Sequence, residues 1–578
     1  MTSKKLILLI LITIVLSIFT RFHNLQNFYS ETDDDLSMSL LLSYDKLDLY
    51  DIASDRRSST YNSKLKNYLR ELELKKNDLI DNTQLYISSV LFNLTPSKHS
   101  TLAPLQYLMF GWMVNEKQNY NDLKFYARFP SAIFSILTIL LTYILSRKIF
   151  KKDTYFLFLP SLLIMCSYPI IYVSQRSYNY SAAIFGITLL FYLFLRESIK
   201  SDNSKLFINK VKIKIKKNFY FSLILASTSY LTYISIVLMP IFFIYKFTNG
   251  FLKEKKIFTA SNYNLFICGL MYSLMIFPLL YYFYSLGIHT RSVTQSTAGS
   301  NYEYSFLHQK DFIKFFTYNS YLVIVKNLSF FLDDFVASKI LQNFIFLMSL
   351  IGTLFIFFKN TQNNYKSLLY LFLSIAFYWF FLVFLNITTL GPTRHLLVFT
   401  PIFAIIFTYG LKILNELIFK SKNKFSISII FSVILIFFLN YSNFLFYYKD
   451  VFDEKELNSL IKKYDVQYIA NNPRFANNIC LMSSIKISIK TCPIRYDRHL
   501  NPDRNIKEVK QDIYTNLKKN SGSILFVNYD ITDKIKSDLV NNGFKKILTS
   551  KKMKVTSENS PLDISRYVPN YIKLVVYN

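Results

Sequence analysis

Long apolar runs separated by short, lysine-rich gaps leave few folds open to this chain. A helix crossing hydrocarbon needs about 20 mostly apolar residues, and only segments whose backbone hydrogen bonds close internally can cross. Such runs are read at 5–20, 130–146, 155–173, 180–195, 219–232, 234–247, 263–284, 341–358, 367–386, 395–411 and 425–443. The pattern predicts a polytopic α-helical membrane protein of about eleven spans over residues 1–443, followed by a soluble α/β or α+β domain at 444–578.

Charge tests that topology. A net charge of +30 would suit nucleic acid, but no zinc-finger spacing, RNP-like motif or basic helix accompanies it, so no nucleic-acid partner is expected. The lysines concentrate in the gaps, where positive charge holds loops in the cytoplasm. With Lys4 and Lys5 inside, the gaps 147–153, 196–217, 249–256, 359–366 and 412–424 all fall on the inner side. The loop 21–129, the turn at 174–180 and the tail from 444 fall outside. An inner membrane is the expected location. The apolar stretch 219–247 is too long for one straight span, and basic gaps on both sides require an even number of crossings, so it is divided near Tyr230–Ile234, with a re-entrant hairpin as the alternative. The N-terminus has a basic start and an apolar core like a signal peptide, but "TRFHNLQNF" offers no small-residue cleavage site, so an uncleaved first span is expected.

In the tail, "VQYIANN", "SILFVNYD" and "NYIKLVVYN" read as strands, and "DITDKIKSDLVNNGF" as a helix stopped by Gly543. Cys166 and Cys268 lie in apolar runs and read as packing residues. Cys480 and Cys492 lie in the tail and can pair only if it faces an oxidising compartment. Asn93 in "NLT" matches a glycosylation acceptor.

One feature runs against the basic balance. Glu31, Asp33, Asp34 and Asp35 crowd into "FYSETDDDLSMS" just after the first span. An acidic patch near a membrane is often only a solvated loop. This one is dense and precedes "LSMSLLLS", which can form a helix lying on the bilayer. A carboxylate at such a helix N-terminus is oriented and partly desolvated, as a general base requires.

The chain here resembles the GT-C superfamily of membrane glycosyltransferases. The resemblance runs through "TDDDLSMSLLLS" (32–43), "STLAPLQYLMFGWMV" (100–114), "YARFPSAIFSILTILLTYILSRKIF" (126–150), "SYPIIYVSQRSYNYSAAIFGITLLFYLFLR" (167–196) and "GPTRHLLVFTPIFAIIFTYGL" (391–411). By pattern it is most similar to glycosyltransferase family 39, which holds the protein O-mannosyltransferases and lipid A aminoarabinose transferases. Three departures stand out. The acidic motif is a run of three aspartates, His99 is displaced from the usual H-x-P-P-L, and the outer loop carries an insertion at roughly 45–95.

The resemblance implies a donor sugar on a polyprenyl phosphate, a lipid, glycan or protein acceptor, and inversion at the anomeric carbon on the outer face. It implies a carboxylate base, with Asp34 first, Asp35 second and Asp33 third. The leaving phosphate calls for cations, Arg above all for its fork of donors. Arg394, Arg176 and Arg128 fall at outer boundaries by this topology, and His395 adjoins Arg394. Ordinary snorkelling at a helix end is the bland account of each arginine. Tyr178 and Tyr180 are candidates for the sugar pocket, although interfacial tyrosines need no ligand. No cofactor is implied with certainty, and three aspartates can also hold a divalent cation. The competing readings are a transporter or flippase and a non-catalytic envelope-assembly protein. Against the first, no internal repeat is visible and the apolar runs are nearly free of Asp and Glu.

Overall fold

The computed structural model describes residues 3–23, 25, 104–114, 118, 120–150, 154–177, 179–197, 208–255, 260–285, 347–348, 350–351, 353–354, 363–384, 397–418, 454–471, 515, 518–519, 522–527, 533–554 and 571–578. The helices are α1 (Ser3–Phe22), α2 (Pro104–Phe110), α3 (Tyr120–Phe150), α4 (Thr154–Cys166), α5 (Tyr168–Ser174), α6 (Tyr180–Glu197), α7 (Ile208–Leu231), α8 (Tyr233–Glu254), α9 (Ala260–Ser285), α10 (Asn363–Phe384) and α11 (Thr400–Ile418). Among the described residues, four stretches are long and apolar enough to cross a membrane: Asn121–Phe150, Tyr233–Phe251, Asn262–Leu280 and Leu397–Asn415. Ile10–Phe22, Phe156–Cys166, Tyr180–Leu195 and Ser367–Leu382 are apolar but shorter. The expected run 425–443 lies outside the described residues, and of 341–358 only fragments lie within them.

Side-chain contacts fix the helix directions. Asn218, Ser222, Ser229 and Tyr230 of α7 meet Asn264, Cys268, Tyr272 and Met275 of α9 in the same order, so these two helices run parallel. Between them in sequence, α8 runs the other way: Phe243 faces Tyr272 of α9, and Gly250 lies against Asn262. The stretch 219–247 therefore turns back on itself. The break is one residue long, at Thr232, whose φ of −155° and ψ of 129° are extended backbone. Its carbonyl takes both the backbone N–H and the hydroxyl of Ser235, at 3.2 and 2.8 Å.

Several helices depart from the expected spans, among them α7, which begins at Ile208 and not at 219. The run starting at 130 is the later part of α3, which begins ten residues earlier at Tyr120 and carries Pro130 inside it. The run 155–173 is broken into α4 and α5 at Ser167. The cause is Pro169, which has no N–H to give the carbonyl four residues back, here that of Met165.

Packing follows small residues. Ser131, Ser135, Thr138, Thr142 and Ser146 are all buried and form one stripe along α3, which lets neighbouring backbones come close. Thr138 and Thr142 donate their hydroxyls to carbonyls one turn back, of Phe134 and Thr138. The opposite kind of surface lies on α9, where Phe266, Leu270, Leu274 and Phe277 are exposed at helical spacing. An apolar face of that extent needs hydrocarbon or another protein over it.

The tail elements are α12 (Glu454–Lys463), β1 (Val466–Asn471), β2 (Ser523–Val527), α13 (Asp533–Asn541), β3 (Lys546–Lys554) and β4 (Tyr571–Tyr577). They make a mixed sheet of order β1-β2-β4-β3, with β1 parallel to β2 and the other pairs antiparallel. Ile524, Leu525 and Phe526 of β2 are buried in succession, as expected for a central strand covered on both faces. Helix α13 ends at Gly543 (φ +85°), with Phe544 N–H bonded to Leu539 O at 3.0 Å and Gly543 N–H to Val540 O at 2.8 Å. This is the paired closure that a left-handed glycine allows. The edge strand β3 and the helix α12 are not among the sequence expectations.

Candidate functional site

The candidate site lies at the bundle end where α1 leaves and α3 begins. The buried charged side chains among the described residues are Arg21, Lys124, Arg128 and Arg176. All four are cations, and a buried charge is costly unless it is paired and hydrogen-bonded.

Arg21 closes the break between α4 and α5. Its Nη1 donates to Met165 O at 2.7 Å and its Nη2 to Ile164 O at 3.1 Å. The Met165 carbonyl is the one left without an amide by Pro169. Nη1 also meets Thr20 Oγ1 at 2.7 Å, and Nε meets Ser135 Oγ at 3.2 Å. Arg21 thus replaces a missing backbone donor and ties α1 to α3 and α4.

The exit of α1 is held from two sides. Gln175 Nε2 donates to Thr20 O at 3.1 Å and to His23 O at 3.2 Å, satisfying carbonyls that the helix end leaves free. Arg128 Nη1 donates to Leu25 O at 2.9 Å. One turn before Arg128 on the same face of α3, Lys124 is fully buried. A cation near a helix N-terminus opposes the macrodipole, so a second unfavourable effect adds to its desolvation.

Helix α2 seats across this end. Gln106 Nε2 meets Ser131 Oγ and Ser177 O, each at 3.4 Å, and the Tyr107 hydroxyl donates to Ser177 O at 3.1 Å. Phe22 and Phe110 pack on Phe129 with ring centroids 5.6 and 6.5 Å apart, and Phe110 also meets Phe134 edge-on at 6.4 Å. These rings keep the surroundings of the cations apolar. Arg176, in the turn between α5 and α6, lies over the Tyr172 ring with Cζ 4.5 Å from its centre.

Of the expected site residues, Arg128, Arg176 and Tyr180 gather at this end, with Tyr180 half-buried as the first residue of α6. Asp33, Asp34, Asp35, Tyr178, Arg394 and His395 lie outside the described residues, as do Cys480 and Cys492. Cys166 and Cys268 are buried, and neither is in a disulfide among the described residues. Among the described residues no His, Cys, Asp and Glu group is arranged to hold a metal. The sequence expectations did not include Arg21, Lys124, Gln106 or Gln175. The i, i+4 spacing of Lys124 and Arg128 was a usable signal for one of them. An apolar groove of about 480 Å³ between α8 and α10, lined by Ile241, Leu373, Ser374, Phe377, Tyr378 and Phe381, has no charged side chain in its wall.

Among solved structures, the chain is similar to the oligosaccharyltransferase of Archaeoglobus fulgidus. For the complex with Zn and sulfate the identity is 12% and the TM-score 0.48, covering 92% of this chain and 69% of that one. For the apo form the identity is 12% and the TM-score 0.48, covering 91% and 70%. No protein-family model matches the chain, and no curated protein matches it.

Proposed function

We propose that this protein is an inverting membrane glycosyltransferase that moves a sugar from a polyprenyl phosphate to a lipid, glycan or protein acceptor on the outer face of an inner membrane. The observation that carries this reading is the set of four buried cations at the exit of α1. An ion that leaves as a lipid phosphate needs fixed donors in a low-dielectric setting, where each is worth more than in water. Arg128 and Arg176 supply that charge from α3 and from the turn before α6, with Arg394 and His395 as further donors.

The base comes from the acidic run. Arg128 holds Leu25 O, and Asp33 to Asp35 follow within ten residues. Extended chain covers at most about 3.6 Å per residue, so the aspartates are tethered within roughly 36 Å of Arg128. Asp34, or Asp35 one position on, takes the acceptor proton as the acceptor oxygen or nitrogen attacks the anomeric carbon. The C–O bond to phosphate breaks on the opposite side, and the electron pair leaves on the phosphate. Adjacent carboxylates raise one another's proton affinity, which suits one of them to the base role. Eleven spans, an N-terminus inside, and a division at 443 into membrane and soluble parts complete the proposal.

The test is turnover of polyprenyl-phosphate sugar in membranes carrying the full chain. Asp34→Asn combined with Asp35→Asn is expected to abolish it while expression and membrane insertion stay normal. Wild-type turnover in both single variants and the double would remove the aspartates from the mechanism.

A further inference from the structure

We propose that the side-chain carbonyl oxygens of Gln106 and Gln175 accept hydrogen bonds from hydroxyl groups of the transferred sugar. This rests on the glycosyl-transfer reading above and assigns the part of the site that reads the sugar.

Both amides are fixed in orientation by what they touch. Gln175 Nε2 faces the carbonyls of Thr20 and His23 at 3.1 and 3.2 Å. A carbonyl only accepts, so the NH₂ group must point there and the amide cannot be turned over. Gln106 Nε2 faces Ser177 O and Ser131 Oγ, each at 3.4 Å, and the Ser177 carbonyl fixes it in the same way. Each Oε1 therefore points away from these partners. Both oxygens are buried and have no hydrogen-bond partner among the described residues. A buried acceptor without a donor is destabilising, and neither side chain can relieve this by rotating without giving up the bonds it already makes.

The two oxygens belong to one place. Gln175 lies in the turn between α5 and α6, and Gln106 reaches that turn from α2 through Ser177. The turn also carries Arg176 and adjoins the α1 exit that leads to the aspartates. The chemistry divides accordingly. Phosphate only accepts hydrogen bonds, so it suits the cations. A glutamine carbonyl needs a donor, and a sugar offers hydroxyls. Two acceptors held by their own NH₂ groups can each take one hydroxyl, and a site built to bond a hydroxyl rejects an analogue without it.

The test is equilibrium binding to the purified full chain in detergent. The first probes are a short-chain polyprenyl phosphate and the same lipid bearing mannose, glucose, galactose, N-acetylglucosamine or arabinose. Singly deoxygenated forms of the tightest-binding sugar follow. One sugar-bearing lipid is expected to bind at least about tenfold more tightly than the bare lipid phosphate, and loss of one or two particular hydroxyls to weaken binding by about tenfold. In Gln106→Met and in Gln175→Met, discrimination at one hydroxyl should vanish while the other hydroxyls keep theirs; a purely structural role would weaken all probes alike. No preference of the wild type for any sugar-bearing lipid over the bare one overturns the inference and leaves the phosphate site standing. So does a flat deoxy series, which means that the oxygens hold only water; this arm needs no variant to fold. If the bare lipid phosphate also fails to bind, the glycosyl-transfer reading itself falls.

Discussion

Cations at the two ends of the helical bundle differ in burial. At the end that holds Arg147, Lys216, Lys217 and Lys255, all four side chains are exposed. At the end where α1 leaves, Arg21, Lys124, Arg128 and Arg176 are fully buried. Exposed cations at a membrane boundary act through net charge and position, and one lysine serves nearly as well as the next. Buried ones depend on particular partners. Arg21 spans the backbone gap made by Pro169, and Arg128 pins the carbonyl of Leu25. Equal formal charge thus sits in two settings: one solvated, the other held by particular backbone atoms.

The comparison can be broken by substitution. The largest effect is expected at Arg128 and Arg176. Changing either to Met should lower initial rates of lipid-phosphate-sugar consumption by about 100-fold or more, whereas Lys216→Gln with Lys217→Gln should leave the rate within about twofold. Similar losses at both ends would erase the distinction. Next comes Arg21→Met, which strands the carbonyls of Ile164 and Met165 and should destabilise the bundle by about 2–4 kcal/mol in denaturant melts. Pro169→Ala restores an N–H for Met165 O, so the double variant should recover part of that loss. Strict additivity would mean that the arginine does not stand in for the missing amide. The smallest effect belongs to an exposed pair outside the bundle. Lys536 Nζ lies 2.8 Å from Asp533 Oδ1 on the first turn of α13, and its hydrogen bond and charge hold the Asp533 carboxyl below its ordinary value. Both groups are solvated, so Lys536→Ala should give no measurable change in melting temperature.

Much of the secondary structure was legible because apolar runs and their breakers are local. The strands Val466–Asn471, Ser523–Val527 and Tyr571–Tyr577 and the helix stopped at Gly543 follow from alternation and from one glycine. Strand β3, "KILTSKKMK", was hidden by its lysines. They suit an edge that must not pair with another chain and blur the alternation that marks a strand. Helix α3 begins ten residues before its apolar run because a helix forms on backbone geometry and the first turns need not be greasy. The acidic first-turn residue Asp122 favours that start.

The sequence by itself determined that this chain is mostly helical, apolar enough in places to cross a membrane, and polar and strand-forming at its C-terminal end, because those properties are sums over neighbouring residues. It also placed Arg128 and Arg176 beside apolar runs, although Arg128 lies inside α3 and not at its end. Only the tertiary structure decided which cations are buried, that Arg21 answers for Pro169 across 148 positions of chain, and that Gln106 reaches the turn that carries Gln175. Those facts depend on which backbone atoms lack a partner once the helices pack, and a one-dimensional pattern does not contain that information.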